Sequence, residues 1–102
     1  MTDLEQDIFQ IISASGDSKA KAFEALKQVK TGDFDKARAL LEESRKLDLE
    51  AHKVQTKLIQ QEMDSEAEKT PISLLTVHAQ DHYMTSQLAR DLIEALIEIF
   101  DK

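Results

Sequence analysis

Two histidines and an aspartate, His78, Asp81 and His82, fall within the five-residue segment HAQDH. Leucine and isoleucine recur on both sides of this segment, so the sequence predicts a helix with a large apolar surface there. Titratable side chains among apolar ones are costly to bury unless they are paired or take part in a reaction. His78, Asp81 and His82 are therefore the first candidates for a functional site.

The spacing of the two histidines leaves several interpretations open. Residues four apart share one flank of a helix, and the simplest interpretation makes both imidazoles amphipathic side chains without a specific role. A second interpretation is a metal-binding helical bundle, because His78 and His82 at this spacing can hold one zinc ion, with His52 as a third ligand if the fold brings it close. Ala79 stands where the H-E-x-x-H motif has its catalytic glutamate, which excludes metalloprotease chemistry.

A third interpretation makes one histidine a nucleophile. The chain has no cysteine, which leaves imidazole as the strongest nucleophile among its side chains. A phosphoryl group is the natural cargo, because its transfer needs mainly positioning and charge stabilisation. A purely structural helical adaptor, which would take no phosphate, also stays open.

Asp81 occupies the centre of an apolar stripe on the predicted helix. At about 100° per residue, four side chains fall within about 20° of it: Leu74, Leu88, Leu92 and Ile99. A second apolar stripe lies further round the helix and contains Leu75, Ala89, Ile93, Ile97 and Phe100. Packing within one bundle uses one stripe, and an exposed leucine stripe usually marks a protein–protein surface. We therefore expect third helices to associate with Asp81 near their shared axis, where converging carboxylates need a cation or a shared proton.

The composition of the chain predicts a single all-α domain. Its 102 residues include only two glycines and one proline, and good helix formers dominate. The net charge of −7 argues against nucleic acid and anionic membranes as partners. No apolar run is long enough to span a bilayer, the N-terminal MTDLEQD is acidic, and cysteine is absent. These features together predict a cytoplasmic protein without direct membrane insertion.

The apolar periodicity divides residues 1–102 into three helices. The first is predicted over about 3–30 with a break near 16–17, the second over about 34–63, and the third over about 71–101. Short connections between long helices favour an up-down-up antiparallel three-helix bundle.

Local signals place the ends of these helices. Thr2 and Glu5 have the spacing of a capping box, which predicts the start of the first helix. Gly32 is a predicted C-cap, and Asp33 directly after it is a predicted N-cap of the second helix. Thr70-Pro71 is typical of an N-cap followed by proline at the first helical position, and it predicts the start of the third helix.

Four segments of the chain resemble one known family. VHAQDHYMTSQLARDLIEALIEIF resembles the C-terminal signature of the lactose/cellobiose-type enzyme IIA components of the bacterial phosphoenolpyruvate-dependent sugar phosphotransferase system. GDSKAKAFEAL, GDFDKA and AHKVQTKLI resemble further segments of the same family, so the resemblance covers nearly the whole chain. The octet HAQDHYMT is the most specific part, and within it Tyr83 replaces the usual leucine.

By this resemblance the protein is a homotrimer of three-helix bundles and a phosphotransferase component. It takes a phosphoryl group from phospho-HPr and passes the group to a cysteine of the cognate IIB component, coupled to uptake of lactose or a β-linked disaccharide such as cellobiose. The resemblance makes His78 the phosphohistidine nucleophile. It also places Asp81 from each subunit around a metal ion on the trimer axis, and carboxylate ligands favour magnesium as that structural cation.

Three further side chains are expected to support the transfer. His82 and Thr85 share the flank of His78, where they are expected to donate hydrogen bonds to the phosphoryl oxygens. Gln80 points to another side of the same helix, so its expected role lies across a subunit boundary or at a docking surface.

Overall fold

A computed structural model describes residues 2–66 and 71–102, and these ranges contain three helices and no strand. The helices are α1 (Asp3–Thr31), α2 (Phe34–Met63) and α3 (Leu74–Phe100). The all-α prediction is therefore confirmed for the described residues. None of these helices combines the length and the apolar character needed to cross a membrane.

The predicted caps of α1 and α2 are present. Thr2 and Glu5 form both bonds of a capping box, and Gly32 ends α1 with a left-handed φ of 81°. Glycine adopts this conformation without the steric cost that a Cβ would bring. The Asp33 carboxylate then accepts a hydrogen bond of 3.2 Å from the backbone N–H of Lys36, which caps α2.

The predicted break near residues 16–17 is wrong, because α1 continues through Gly16 without interruption. A glycine within a helix costs only about 1 kcal/mol relative to alanine, and packing on both sides outweighs that cost. Just after Gly16, the hydroxyl of Ser18 donates to the carbonyl of Ser44 at 2.9 Å, and the hydroxyl of Ser44 donates back at 2.8 Å. These buried bonds tie the middle of α1 to α2.

The third helix begins at Leu74, three residues after the predicted start at residue 71. Ser73 is the N-cap, and its hydroxyl accepts a 3.2 Å hydrogen bond from the backbone N–H of Thr76. The Thr76 hydroxyl also donates to the carbonyl of Pro71 at 3.1 Å, which holds the chain before the helix. The better-placed cap at Ser73 therefore overrides the proline signal; Thr70, the other half of that signal, lies outside the described residues.

The interior of the bundle contains two apolar clusters separated by a buried polar layer. The first cluster contains Ile8, Ile11, Ala14, Ala51, Val54, Leu58, Ala79 and Tyr83. The second contains Ala22, Ala25, Ala37, Leu41, Ile93 and Ile97. Along each helix the buried polar residues fall between these two sets; the polar layer consists of Ser15, Ser18, Ser44, Asp48 and Ser86.

Cross-helix contacts fix how α2 lies against its neighbours. Lys57, late in α2, donates a 2.8 Å hydrogen bond to Asp7, early in α1, and this bond raises the pKa of Lys57. Hydrogen bonds between α2 and α3 follow the same reversed order; the pairs are Arg45–Glu94, His52–Tyr83 and Gln55–Gln80. The N-terminal half of α3, which carries HAQDH, therefore lies against the C-terminal half of α2.

Candidate functional site

The stripe centred on Asp81 lies on the outside of the subunit. Asp81 itself is exposed, and the exposed fractions of its apolar neighbours are 85% for Leu74, 58% for Leu88, 57% for Leu92 and 57% for Ile99. Val77 and Met84 beside the stripe are exposed as well. Of the second stripe, Ile93 and Ile97 are buried in the core. The structure thus buries Ile93 and Ile97 of the second stripe, leaves Phe100 at its end exposed, and leaves the stripe centred on Asp81 on the outside of the bundle.

His78 and His82 lie side by side on the flank between these two stripes. Their ring centroids are 4.5 Å apart and the ring planes meet at 77°, which is an edge-to-face arrangement. His78 is exposed, whereas His82 is partly buried and its Nδ1 atom has no hydrogen-bond partner among the described residues. The partly buried His82 ring thus lies against the His78 ring, and His78 is the more exposed of the two.

Thr85 follows on the same flank, but its hydroxyl proton is engaged. The Oγ1 atom donates a 2.7 Å hydrogen bond to the carbonyl oxygen of Asp81, four residues earlier. In this arrangement the Thr85 proton is directed at the Asp81 carbonyl, so donation to a phosphoryl oxygen requires the O–H bond to rotate away from that carbonyl. Thr85 thus lies on the histidine flank of α3, and its donation to a phosphoryl oxygen stays a prediction.

Gln80 lies on the opposite flank of α3, where it meets Gln55 of α2. The Gln55 amide nitrogen donates to the Gln80 oxygen at 2.7 Å, and the Gln80 amide nitrogen donates back at 2.6 Å. Both side chains are partly buried. The position of Gln80 agrees with the sequence-based geometry, but its partner Gln55 was not identified from the sequence.

His52 is held by Tyr83 and is not aimed at a shared metal site. Its Nδ1 atom lies 2.9 Å from the hydroxyl of Tyr83, whose side chain is buried in the first apolar cluster. Within residues 2–66 and 71–102, no three His, Asp or Glu side chains lie close enough together to hold one metal ion. The zinc-binding alternative built on His78, His82 and His52 gains no support from this subunit.

These features agree with a comparison against known families. The family described as "PTS system, Lactose/Cellobiose specific IIA subunit" matches residues 6–101. The chain belongs to this family. The resemblance inferred from the four sequence segments is therefore confirmed, and the chain is a IIA component of the phosphotransferase system of the lactose, cellobiose and chitobiose type.

Relatives of known specificity cover almost the whole IIA chain. The N,N′-diacetylchitobiose-specific EIIA component of Escherichia coli K12 is 50% identical over 100 residues, which span 98% of this chain and 84% of the relative. The crystal structure of the cellobiose-specific enzyme IIA from Bacillus anthracis superposes with a TM-score of 0.92 at 39% identity, covering 99% of this chain and 91% of that one.

A solved complex includes a relative of this IIA protein together with a second protein of the system. The solution structure of the IIA(chitobiose)–HPr complex from E. coli matches with a TM-score of 0.80 at 46% identity, covering 99% of this chain and 96% of that one. This relative therefore forms a complex with HPr.

Proposed function

We propose that this IIA protein is a phosphocarrier that accepts a phosphoryl group from phospho-HPr on His78 and passes it to a cysteine of the cognate IIB component. The observation that carries the proposal is the exposed His78 ring held edge-to-face against the partly buried His82 at 4.5 Å. Membership of the IIA family and the solved complex of the E. coli relative with HPr support the choice of donor.

Phosphoryl transfer requires the protein mainly to position the reacting groups. An unprotonated ring nitrogen of His78 attacks the phosphorus, a nitrogen–phosphorus bond forms, and the bond to HPr breaks with its electron pair returning to the donor side chain. In the second transfer a cysteine thiolate of IIB attacks the same phosphorus, and the electron pair returns to His78. An exposed nucleophile suits these two successive transfers, because HPr and IIB must each reach the same ring in turn.

The assembly follows from the unpartnered stripe of α3. The three helices run up-down-up, and three copies of α3 pack around a common axis along the exposed stripe. Leu74, Val77, Asp81, Met84 and Leu88 recur at alternating spacings of three and four, which is the spacing of a coiled-coil seam. Threefold symmetry brings one Asp81 from each subunit to this axis.

Three converging carboxylates suit a hard divalent cation. Asp81 is exposed at the centre of the stripe, where its carboxylate is free to point along the shared axis. Carboxylate oxygens are the ligands that magnesium prefers, and one ion per trimer offsets their mutual repulsion. The ion would hold the assembly together and takes no part in phosphoryl transfer.

The proposal also includes the sugar that is taken up and the cellular compartment in which the protein acts. The transfer is coupled to uptake of lactose or a β-linked disaccharide such as cellobiose, and the names of the relatives from E. coli and B. anthracis support a β-linked disaccharide. The protein acts in the cytoplasm, in keeping with its lack of cysteine.

Two incubations test the phosphocarrier proposal. The protein is mixed with phosphoenolpyruvate, enzyme I and HPr, is weighed intact, and is then separated from these components before the cognate IIB component is added. A mass gain of one phosphoryl group in the first step that is lost to IIB in the second supports the proposal. No mass gain in the complete mixture contradicts it and favours a structural adaptor.

A further inference from the structure

The amide pair of Gln55 and Gln80 is a ring closed by two hydrogen bonds, of 2.7 and 2.6 Å. Each amide donates once and accepts once within this ring, so neither group can rotate without breaking both bonds. The pair joins α2 to α3 and is partly buried, so water competes less for these bonds than on an open surface. Gln55 thereby fixes the direction of the Gln80 amide.

The ring leaves part of the Gln80 amide unused. A primary amide has two N–H groups and two acceptor lone pairs. Gln80 uses one of each towards Gln55. Its second N–H has no partner among the described residues, and its direction is set by the first.

The position of Gln80 on α3 determines what this N–H can meet. On the helix, Gln80 lies about 100° to one side of Asp81 and His78 lies about 60° to the other. In a parallel trimer around Asp81, the two flanks beside the seam face opposite flanks of the neighbouring helices. The Gln80 flank of one subunit therefore faces the His78 flank of the next, within one helical turn along the axis.

We propose that Gln55 is a positioning residue for phosphoryl transfer, orienting Gln80 so that its free N–H donates to a phosphoryl oxygen on His78 of the neighbouring subunit. This inference rests on the proposed phosphocarrier trimer. The amide keeps its proton throughout, since it only donates a hydrogen bond while the bond from phosphorus to the donor breaks and the bond to His78 forms. Hydrogen bonds to charged oxygens are stronger than neutral ones, which makes the direction of this N–H matter.

Four variants of the full-length chain test the role of Gln55: Gln55→Met, Gln80→Met, the double variant, and Gln60→Met as a matched control on the exposed side of α2. Single-turnover transfer from saturating phospho-HPr is expected to slow about tenfold in Gln80→Met and about fivefold in Gln55→Met. The double variant is expected to match Gln80→Met, because Gln55 acts only through Gln80. The KM for phospho-HPr is expected to stay unchanged. Effects that add in the double variant, or a Gln55→Met rate equal to that of Gln60→Met, would overturn the proposal.

A spectroscopic readout separates positioning from general stability. In the parent, the side-chain amide resonances of Gln80 are expected to shift when His78 is phosphorylated. In Gln55→Met this shift is expected to shrink, although His78 is still phosphorylated. An undiminished shift contradicts the positioning role of Gln55.

Mixed trimers test whether the Gln80 amide that donates to a phosphoryl group on His78 belongs to the neighbouring subunit. Subunits carrying His78→Ala retain Gln80, and subunits carrying Gln80→Met retain His78. Co-expression of the two is expected to raise the transfer rate per intact His78 above that of Gln80→Met homotrimers. Equal rates would overturn donation across the subunit boundary. If the parent itself takes no phosphate, the proposed function fails; if the parent is active and the variants behave as the control does, only this inference fails.

Discussion

Asp48 of α2 and Arg90 of α3 form an ion pair inside the bundle, and the Ser86 hydroxyl donates a 3.2 Å hydrogen bond to the same carboxylate. The Asp48 side chain is buried, and the Arg90 guanidinium is mostly shielded from solvent. A buried charge that loses its partner retains the cost of desolvation without the attraction. Asp48 belongs to the polar layer that separates the two apolar clusters, and Arg90 contacts it there.

We expect Asp48→Ala to lower the free energy of unfolding by about 3 kcal/mol, because it leaves Arg90 without its buried partner. Asp91→Ala is the matched control, since Asp91 lies 3.8 Å from the same guanidinium but is well exposed. The control is expected to change stability by less than about 0.5 kcal/mol. Urea unfolding measures both, and equal effects would show that burial does not govern this pair.

His78→Ala is expected to abolish the mass gain in the phosphoenolpyruvate, enzyme I and HPr mixture. His82→Ala is expected to accept phosphate at a reduced rate, because it removes the ring that supports His78 at 4.5 Å. Intact mass spectrometry over time distinguishes a lost site from a slow one. Undiminished transfer in His78→Ala would move the nucleophile to another residue.

Transfer from phospho-HPr is expected to depend only moderately on salt. We expect the docking surface around His78 to be apolar at its centre with charge confined to its rim, and apolar burial is not screened by ions. We expect the apparent rate constant to change less than about tenfold between low and physiological ionic strength. A change of several orders of magnitude would indicate docking through charge instead.

Asp81→Leu is expected to remain trimeric and to melt no lower than the parent. The leucine removes the repulsion between converging carboxylates and completes the stripe that contains Leu74, Leu88 and Leu92. The parent is expected to melt lower in EDTA, whereas the variant is expected not to respond to chelator. Sedimentation and thermal melts test both statements, and a monomeric Asp81→Leu would show that the carboxylate and its cation hold the trimer together.

Much of the outer surface of α3 was predictable from the sequence, whereas its cross-helix partners were not. The apolar period correctly identified two stripes, and an exposed stripe followed because one bundle cannot cover both. Asp48 and Arg90 carry charges that usually lie on a helix surface, so no local pattern marks them as buried. Their pairing, like that of Gln55 with Gln80, depends on how far each helix is rotated about its own axis.

The helix boundaries, too, were predictable from the sequence at some positions and not at others. Gly32 and Asp33 were predicted correctly because the cap signals are local and nothing nearby competes with them. Gly16 was misinterpreted because tertiary bonds of Ser18, two residues later, override its local preference. Ser73 was missed as a cap because Thr70-Pro71 is the stronger sequence signal three residues earlier.

The small side chains where the three helices meet determine how far the effect of a core mutation would extend. Many of the buried side chains there are alanine or serine, so the backbones approach closely and leave little free space around an enlarged residue. A larger side chain at Ala22, Ser44 or Ala79 must therefore push whole helices apart. Such a shift would displace the outer stripe of α3, so in the proposed trimer a mutation at the centre of one subunit would be detected first as a failure of the subunits to assemble.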